Sequence, residues 1–271
     1  MSEITIFSAA FDGPDVAGPA RTIAARDARS AAWMAAAWAS VTGRVGRVAA
    51  EAADDAALAR LVADRSRVPV RIDAAEMIGA VDDVEAFCIE GSDVARAPVG
   101  EWARIDARPI RLERLAADLI GVLPAGAIIC VESPRLEPVA LAAAAAHPSV
   151  LALSRLCGAS RGAAIAWAIG AKAASPQRTV VALTDATGFA IGGMDIATAS
   201  RHDLPVAVVV ANAERDLPAF ELVAPMAGGH GEQVTEPSRL AIHLRNAMSV
   251  TIPTVINVAV EAAADRSLAR R

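Results

Sequence analysis

Hydrophobic positions along the chain change between helical spacing and short continuous runs. Residues 24–41 are rich in alanine, with Trp33, Met34 and Trp38 on recurring faces, which predicts a helix. Thr42-Gly-Arg-Val-Gly46 follows, with glycines suited to a helix C-cap. Residues 45–49 predict a strand, 54–64 a short amphipathic helix, and 68–72 and 86–90 further strands. Residues 97–109 carry two prolines, a glycine and mixed charge, the composition of a linker.

The second half has a more regular rhythm. Residues 111–123, 136–146, 162–174, 194–201 and 236–248 have helical patterns. Between them, residues 127–131, 150–153, 179–184, 206–211 and 254–260 are short apolar runs of strand length. Strands alternating with helices predict an α/β fold, in which a parallel sheet is covered on both faces. Ligands of such sheets lie at the carboxyl ends of strands. Residues 184–188 and 211–214 occupy those positions.

Composition narrows the chemistry. The 271 residues are 54% hydrophobic and 21% charged, enough apolar content for a large core. A net charge of −5 supplies no basic field for nucleic acid or an anionic membrane. The longest apolar runs, such as 139–146 and 204–211, fall well short of the roughly 20 residues that span a bilayer. Met1-Ser-Glu-Ile-Thr-Ile lacks the charged-then-apolar pattern of a signal peptide, and Cys88, Cys130 and Cys157 form no metal pattern, so a cytoplasmic protein is expected. There is no tyrosine, and Lys172 is the only lysine, so Schiff-base chemistry is poorly supplied. His147, His202, His230 and His243 are scattered, and Ser8, Ser160 and Ser249 sit in no nucleophile elbow. Gly228-Gly-His-Gly231 is a weak phosphate-cradle candidate, and Cys130 is expected to be a buried, inert thiol.

Residues 180–214 nevertheless carry a specific pattern. Gly188-Phe189, Gly193-Met194-Asp195, Ala197-Thr198-Ala199, Arg201-His202 and Leu204-Pro205-Val206 follow one another in order, with Ala168-Ile-Gly-Ala-Lys172 upstream. Gly228-Gly-His-Gly-Glu-Gln-Val234 and Pro253-Thr-Val-Ile-Asn-Val258 follow downstream. Together they resemble the diphosphate-binding domain of thiamine-diphosphate enzymes, in the style of acetolactate synthase, benzoylformate decarboxylase and 2-hydroxyacyl-CoA lyase. Ala31-Ala-Trp-Met34 and Ala39-Ser-Val-Thr-Gly-Arg-Val-Gly46 resemble the helix and turn after the catalytic Glu of the family's pyrimidine-binding domain. The resemblance implies two domains, each a mainly parallel sheet flanked by helices: a shortened pyrimidine-binding-like domain over 1–100, a linker over 101–110, and a diphosphate-binding-like domain over 111–271. The family's central domain is absent.

Where the family has Gly-Asp-Gly, this chain has Asp185-Ala-Thr187, so the magnesium-binding Asp position is Ala186. Where it has Asn-Asn, Asn212-Ala213 stands, so the second magnesium position is Ala213. Hard Mg²⁺ needs oxygen donors, which methyl groups cannot supply. The family's catalytic Glu position is Ala28, and Arg161 replaces a residue that is usually apolar. The resemblance thus implies a vestigial cleft of Arg161, Asp185, Ala186, Thr187, Gly188, Asn212, Ala213 and Glu214, with no metal site and no cofactor expected. Such a chain is a degenerate homologue acting as a structural or regulatory subunit, or one with a repurposed cleft. The alternatives are an active lyase or synthase that uses thiamine diphosphate and magnesium through unconventional residues, with Asp185 shifted into the metal role, and a different enzyme in the vacated pocket. Family architecture further implies a homodimer or homotetramer, or a heteromer with an intact relative.

Overall fold

A computed structural model describes residues 4–8, 20–50, 54, 57, 59, 70–72, 77–78, 106–133, 135–138, 145, 150–154, 161–214 and 216–262. The first sheet contains β1 (Ile4–Ser8), β2 (Ala20–Ala24), β3 (Gly46–Ala49), β4 (Val70–Ile72) and β5 (Met77–Ile78), in the order β2-β1-β3-β4-β5. Its pairings are parallel except β4 with β5. The second sheet contains β6 (Ile128–Val131), β7 (Leu151–Ser154), β8 (Val180–Asp185), β9 (Ala207–Asn212), β10 (His230–Val234) and β11 (Thr254–Ala259). Its order is β10-β11-β9-β8-β6-β7, parallel throughout. The fold is α/β, as the alternating pattern predicts.

Side-chain alternation divides the second sheet between two apolar layers. Val180, Ala182, Val208 and Val210 face a layer containing α1 (Ala28–Thr42) and α3 (Ala164–Ala174). Val181, Leu183, Val209 and Ala211 face the layer of Leu115 and Leu119 on α2 (Leu112–Val122) and of Leu240 and Leu244 on α7 (Pro237–Ser249), the helix that follows the single turn α6 (Val223–Met226) and β10. Both faces are covered, which is why the central strands read as unbroken apolar runs.

Helix α1 is buried along Ala28 and Ser30 to Ala39, and α3 along Ala164 to Ala173. A helix apolar all round belongs inside a core, and the alanines of α1 let neighbouring backbones come close. At Gly170 of α3, an added Cβ would lie 2.7 Å from the carbonyl carbon of Met34 and 2.8 Å from its Cα. Asp27 caps α1 by accepting from the Ser30 N–H at 2.7 Å, and Gly43, at φ +67°, ends it.

The structure corrects several element boundaries. The helix expected from residue 24 starts at Ala28, because Ala20–Ala24 pair with β1 as a strand and Asp27 terminates the extended segment. Strands β1 and β5 were not predicted; each is too short to show a period of its own. The phosphate-cradle candidate Gly228–Gly231 leads into β10, which pairs along β11 from His230 to Val234. Of the helix expected over 54–64, residues 54, 57 and 59 are helical, as are 137, 138 and 145 within 136–146. The strand expected at 86–90 and linker residues 97–105 lie outside the described residues. Among the described residues, no helix is long and apolar enough to cross a membrane.

Candidate functional site

The order of the second sheet creates a switch point. From β6 the chain passes to β7 on one side and then returns to β8 on the other, so the carboxyl ends of β6 and β8 flank the place where a parallel sheet of this kind forms its ligand crevice. Glu132, the first residue after β6, points into it. Its carboxylate accepts the Thr184 hydroxyl at the end of β8 and the N–H groups of Ala163 and Ala164 at the start of α3, the latter at 3.1 Å. Burial raises the Glu132 pKa, against the lowering effect of these three donors.

Asp185 ends β8 and caps α4 (Ala186–Gly192), where its Oδ1 accepts the Gly188 N–H at 2.8 Å. Residues 186–188 form the first turn of that helix. The Arg161 guanidinium lies 3.6 Å from the same carboxylate oxygen, so the structure brings these two candidates together. Arg161 and Thr187 are exposed, whereas the Ala186 methyl is buried at 7%. Gly188 lies close under this group: a Cβ there would lie 2.9 Å from the Glu132 carboxyl carbon, so a larger residue would push the Glu132 side chain aside.

At the end of β9, Asn212 is buried and its polar atoms are engaged. Its amide donates to the Pro218 carbonyl at 3.2 Å and to Asn257 Oδ1 at 3.1 Å, and its Oδ1 accepts the Glu214 N–H at 3.1 Å. Asn257, from β11, donates to Pro218 O at 2.8 Å and to Glu221 at 2.7 Å. The pair therefore clamps the segment after β9 onto the sheet. Ala213 is half-buried, and Glu214 is exposed.

Ala28 opens α1 and is fully buried. Beside it, Asp195, at the end of a 3₁₀ turn (Gly193–Asp195), is also fully buried. Its carboxylate accepts from Arg26 Nε and Ser30 Oγ, each at 3.1 Å, fastening the start of α1 to the second half. Burial lifts its pKa to about 6, against the opposing pull of Arg26. His202, after α5 (Ile196–Arg201), reinforces the junction by accepting the Ala24 N–H at 2.9 Å, and its pKa is lowered by burial.

The remaining candidates lie elsewhere. His230 and His243 both contact Glu232, on β10 and α7 at the far edge of the sheet. Burial pushes the Cys130 thiol pKa upward, which makes it inert as expected. Lys172 donates to the Arg178 carbonyl at 2.8 Å, and Ser249 to the Asn246 carbonyl at 2.9 Å. His147, Cys88, Cys157 and Ser160 fall outside the described residues.

Residues 139–215 match the family model of the thiamine pyrophosphate enzyme C-terminal TPP-binding domain, a span that holds α3, β8, α4 and β9. Over that span the chain resembles the thiamine-diphosphate-dependent enzyme superfamily. Within that superfamily, it is 33% identical over 113 residues to the acetolactate synthase large subunit IlvG of Mycobacterium tuberculosis, a match covering 34% of this chain and 21% of the relative. It is 30% identical over 120 residues to an acetolactate synthase of Bacillus subtilis, covering 37% of this chain and 21% of that one. The matched stretch is thus about a fifth of each relative's length. A structure from Mycobacterium smegmatis, assigned to the thiamin diphosphate-dependent enzymes, superposes with a TM-score of 0.70 at 13% identity over 95% of this chain and 96% of that chain. That likeness shows the shared fold.

These matches correct the expectation that no cofactor is involved: they point to thiamine diphosphate. The side chains at the site do not fit its usual magnesium-bridged grip. Positions 186 and 213 carry methyl groups, Asn212 is committed to neighbouring backbone and Asn257, and Asp185 caps its own helix. Among the described residues, no cluster of three or more His, Cys, Asp or Glu side chains is arranged to hold a metal ion.

Glu132, Asn257 and Asp195 were missed as site-shaping residues. Glu132 had a legible signal, since it directly follows the apolar run of a parallel strand, where ligand-facing groups concentrate. Asn257 and Asp195 had none, because their partners are 45 and 165 residues away in sequence.

Proposed function

We propose that this chain is a superfamily member that takes thiamine diphosphate as a ligand of the switch-point crevice without activating it. Lacking a magnesium bridge and an activating carboxylate, it serves as a structural or regulatory subunit. The supporting observation is the contrast between frame and side chains. The strand ends and helix starts of the crevice are in place, while Ala28, Ala186 and Ala213 stand where the resemblance puts a carboxylate and two oxygen donors. No carboxylate from α1 replaces the one at residue 28: Asp27 is tied to the Ser30 N–H and lies 3.4 Å from Arg26. Without a carboxylate at position 28, the proton transfer that the resemblance assigns to that position has no carrier there. The proposal includes assembly into a homodimer, a homotetramer, or a heteromer with an intact relative. Exposed Met194, Leu222 and Met226 supply apolar surface for such contacts.

Calorimetry with thiamine diphosphate, with and without Mg²⁺, tests this reading alongside an assay for acetolactate formation. The native chain is expected to bind with an affinity indifferent to Mg²⁺ and to form no acetolactate. The combined variant Ala28→Glu, Ala186→Asp, Ala213→Asn is expected to gain Mg²⁺ dependence. The second reading, an active synthase with unconventional residues, is favoured by the acetolactate synthase names of the curated relatives. Metal-dependent binding together with acetolactate formation by the native chain would establish it and sink the first.

A further inference from the structure

Strand β2 is an edge of the first sheet, pairing with β1 on one side. Edge strands keep backbone groups that no neighbouring strand engages. One of them, the Ala24 N–H at the end of β2, donates to His202 Nε2 at 2.9 Å. A second bond runs beside it, from the Arg21 guanidinium to the His202 carbonyl at 2.8 Å. Together they tie β2 to the segment that follows α5. The first bond is conditional on charge. A backbone N–H can only donate, so Nε2 is unprotonated and the ring is neutral, with its proton on Nδ1. A protonated ring would set two N–H donors against each other. Burial of the ring and the nearby charges of Arg201 and Arg21 disfavour the cation, and Asp203 favours it. Helix α6, which packs on α5, carries no charged side chain.

We propose that His202 is a proton-operated catch on the edge of the first sheet: proton uptake by its imidazole releases β2 from the second half, while the start of α1 stays fastened. Once the bond to Ala24 opens, the ring titrates as a free histidine near 6.5, whereas in the closed form its pKa is lowered. The catch is therefore fully effective above about pH 6.5 and weakens as pH falls below it. The neighbouring fastening has the opposite sign. Asp195, held against Arg26 and Ser30, has its pKa raised to about 6, so acid favours the closed form there. Acid thus opens the β2 edge selectively and leaves α1 docked. The catch is independent of what the crevice binds, so its failure leaves the proposed function untouched.

The test is hydrogen exchange followed by mass spectrometry on the full chain at about pH 7.5 and about pH 5, corrected for the intrinsic pH dependence of amide exchange. In the native protein, protection over residues 20–24 is expected to fall about tenfold or more between the two, while residues 28–39 of α1 keep theirs. His202→Gln places a non-titrating oxygen near the position of Nε2, and its protection over 20–24 is expected to change by less than about threefold. His202→Leu has no acceptor, so its protection there is expected to be low at both pH values. Circular dichroism verifies folding; if the Leu variant does not fold, the native and Gln proteins decide alone. Equal protection of residues 20–24 in the native protein at both pH values overturns the proposal. So does an equal fall in the native and Gln proteins, a fall that spreads through α1, or a Leu variant as well protected as the native protein at the higher pH.

Discussion

Gly170→Ala is a demanding test of the packing between α1 and α3. An alanine Cβ would sit 2.7 and 2.8 Å from the Met34 carbonyl carbon and Cα, and closer still to its oxygen. Those atoms are backbone and cannot swing aside, so the helices must part by about 1 Å to restore ordinary contact. A gap of that size forfeits roughly a quarter to a half of the attraction of each contact it opens. Overpacking costs about 1–3 kcal/mol in general, and a backbone clash between two buried helices places this site at about 3. Alanine recovers about 1 kcal/mol of helix propensity, leaving a net loss of about 2 kcal/mol. Gly121, exposed near the end of α2, is the matched control, because an added Cβ meets nothing within 4 Å. There the same substitution should stabilise by about 0.5 kcal/mol. Urea denaturation followed by circular dichroism measures both. If the two variants shift stability in the same direction by similar amounts, the close approach of α1 and α3 is refuted.

Two further outcomes follow from the buried polar groups. The Asp195 pKa is raised from 3.8 to about 6, so the folded state favours its protonated form; that stability is fully present below about pH 3.8 and lost as pH rises through about 6. The native protein should lose about 2 kcal/mol more than Asp195→Asn between pH 4 and 7, and parallel urea-stability profiles of the two proteins would contradict this. Asn257→Ala removes the donor to Pro218 and Glu221, which should cost about 2–3 kcal/mol and speed hydrogen exchange over residues 216–222. Unchanged exchange there would show that the clamp is not what holds that segment.

The second sheet was legible because its strands are buried on both faces and each stands as an apolar block between helical stretches, as at 180–184 and 207–211. At position 185 the sequence shows an acidic residue at the end of an apolar strand, and in the structure Asp185 caps α4 and lies beside Arg161. The first sheet was harder to read. Strand β2 has the sequence Ala-Arg-Thr-Ile-Ala, a composition that fits a helix start equally well, and only pairing with β1 makes it a strand. Strand β10 is an edge strand with polar side chains, and its glycines suggested a turn. What the sequence could not convey at the crevice was occupancy. The alanines at 186 and 213 report the missing oxygen donors, but the carboxylate in the crevice comes from position 132, before the matched family segment begins.

The near-complete burial of α1 bears on how the molecule comes apart. Helix α1 lies between the two sheets, packs along α3, and is fixed at its start by the Arg26–Asp195 and Ser30–Asp195 contacts. Neither sheet can shed the other without wetting a row of alanines and two tryptophans that have no alternative cover. Local openings that spare this seam remain inexpensive, as at the exposed end of α7, whereas any opening that crosses it approaches the cost of global unfolding. The helix is thus a shared keystone, and the two sheets melt as one cooperative unit.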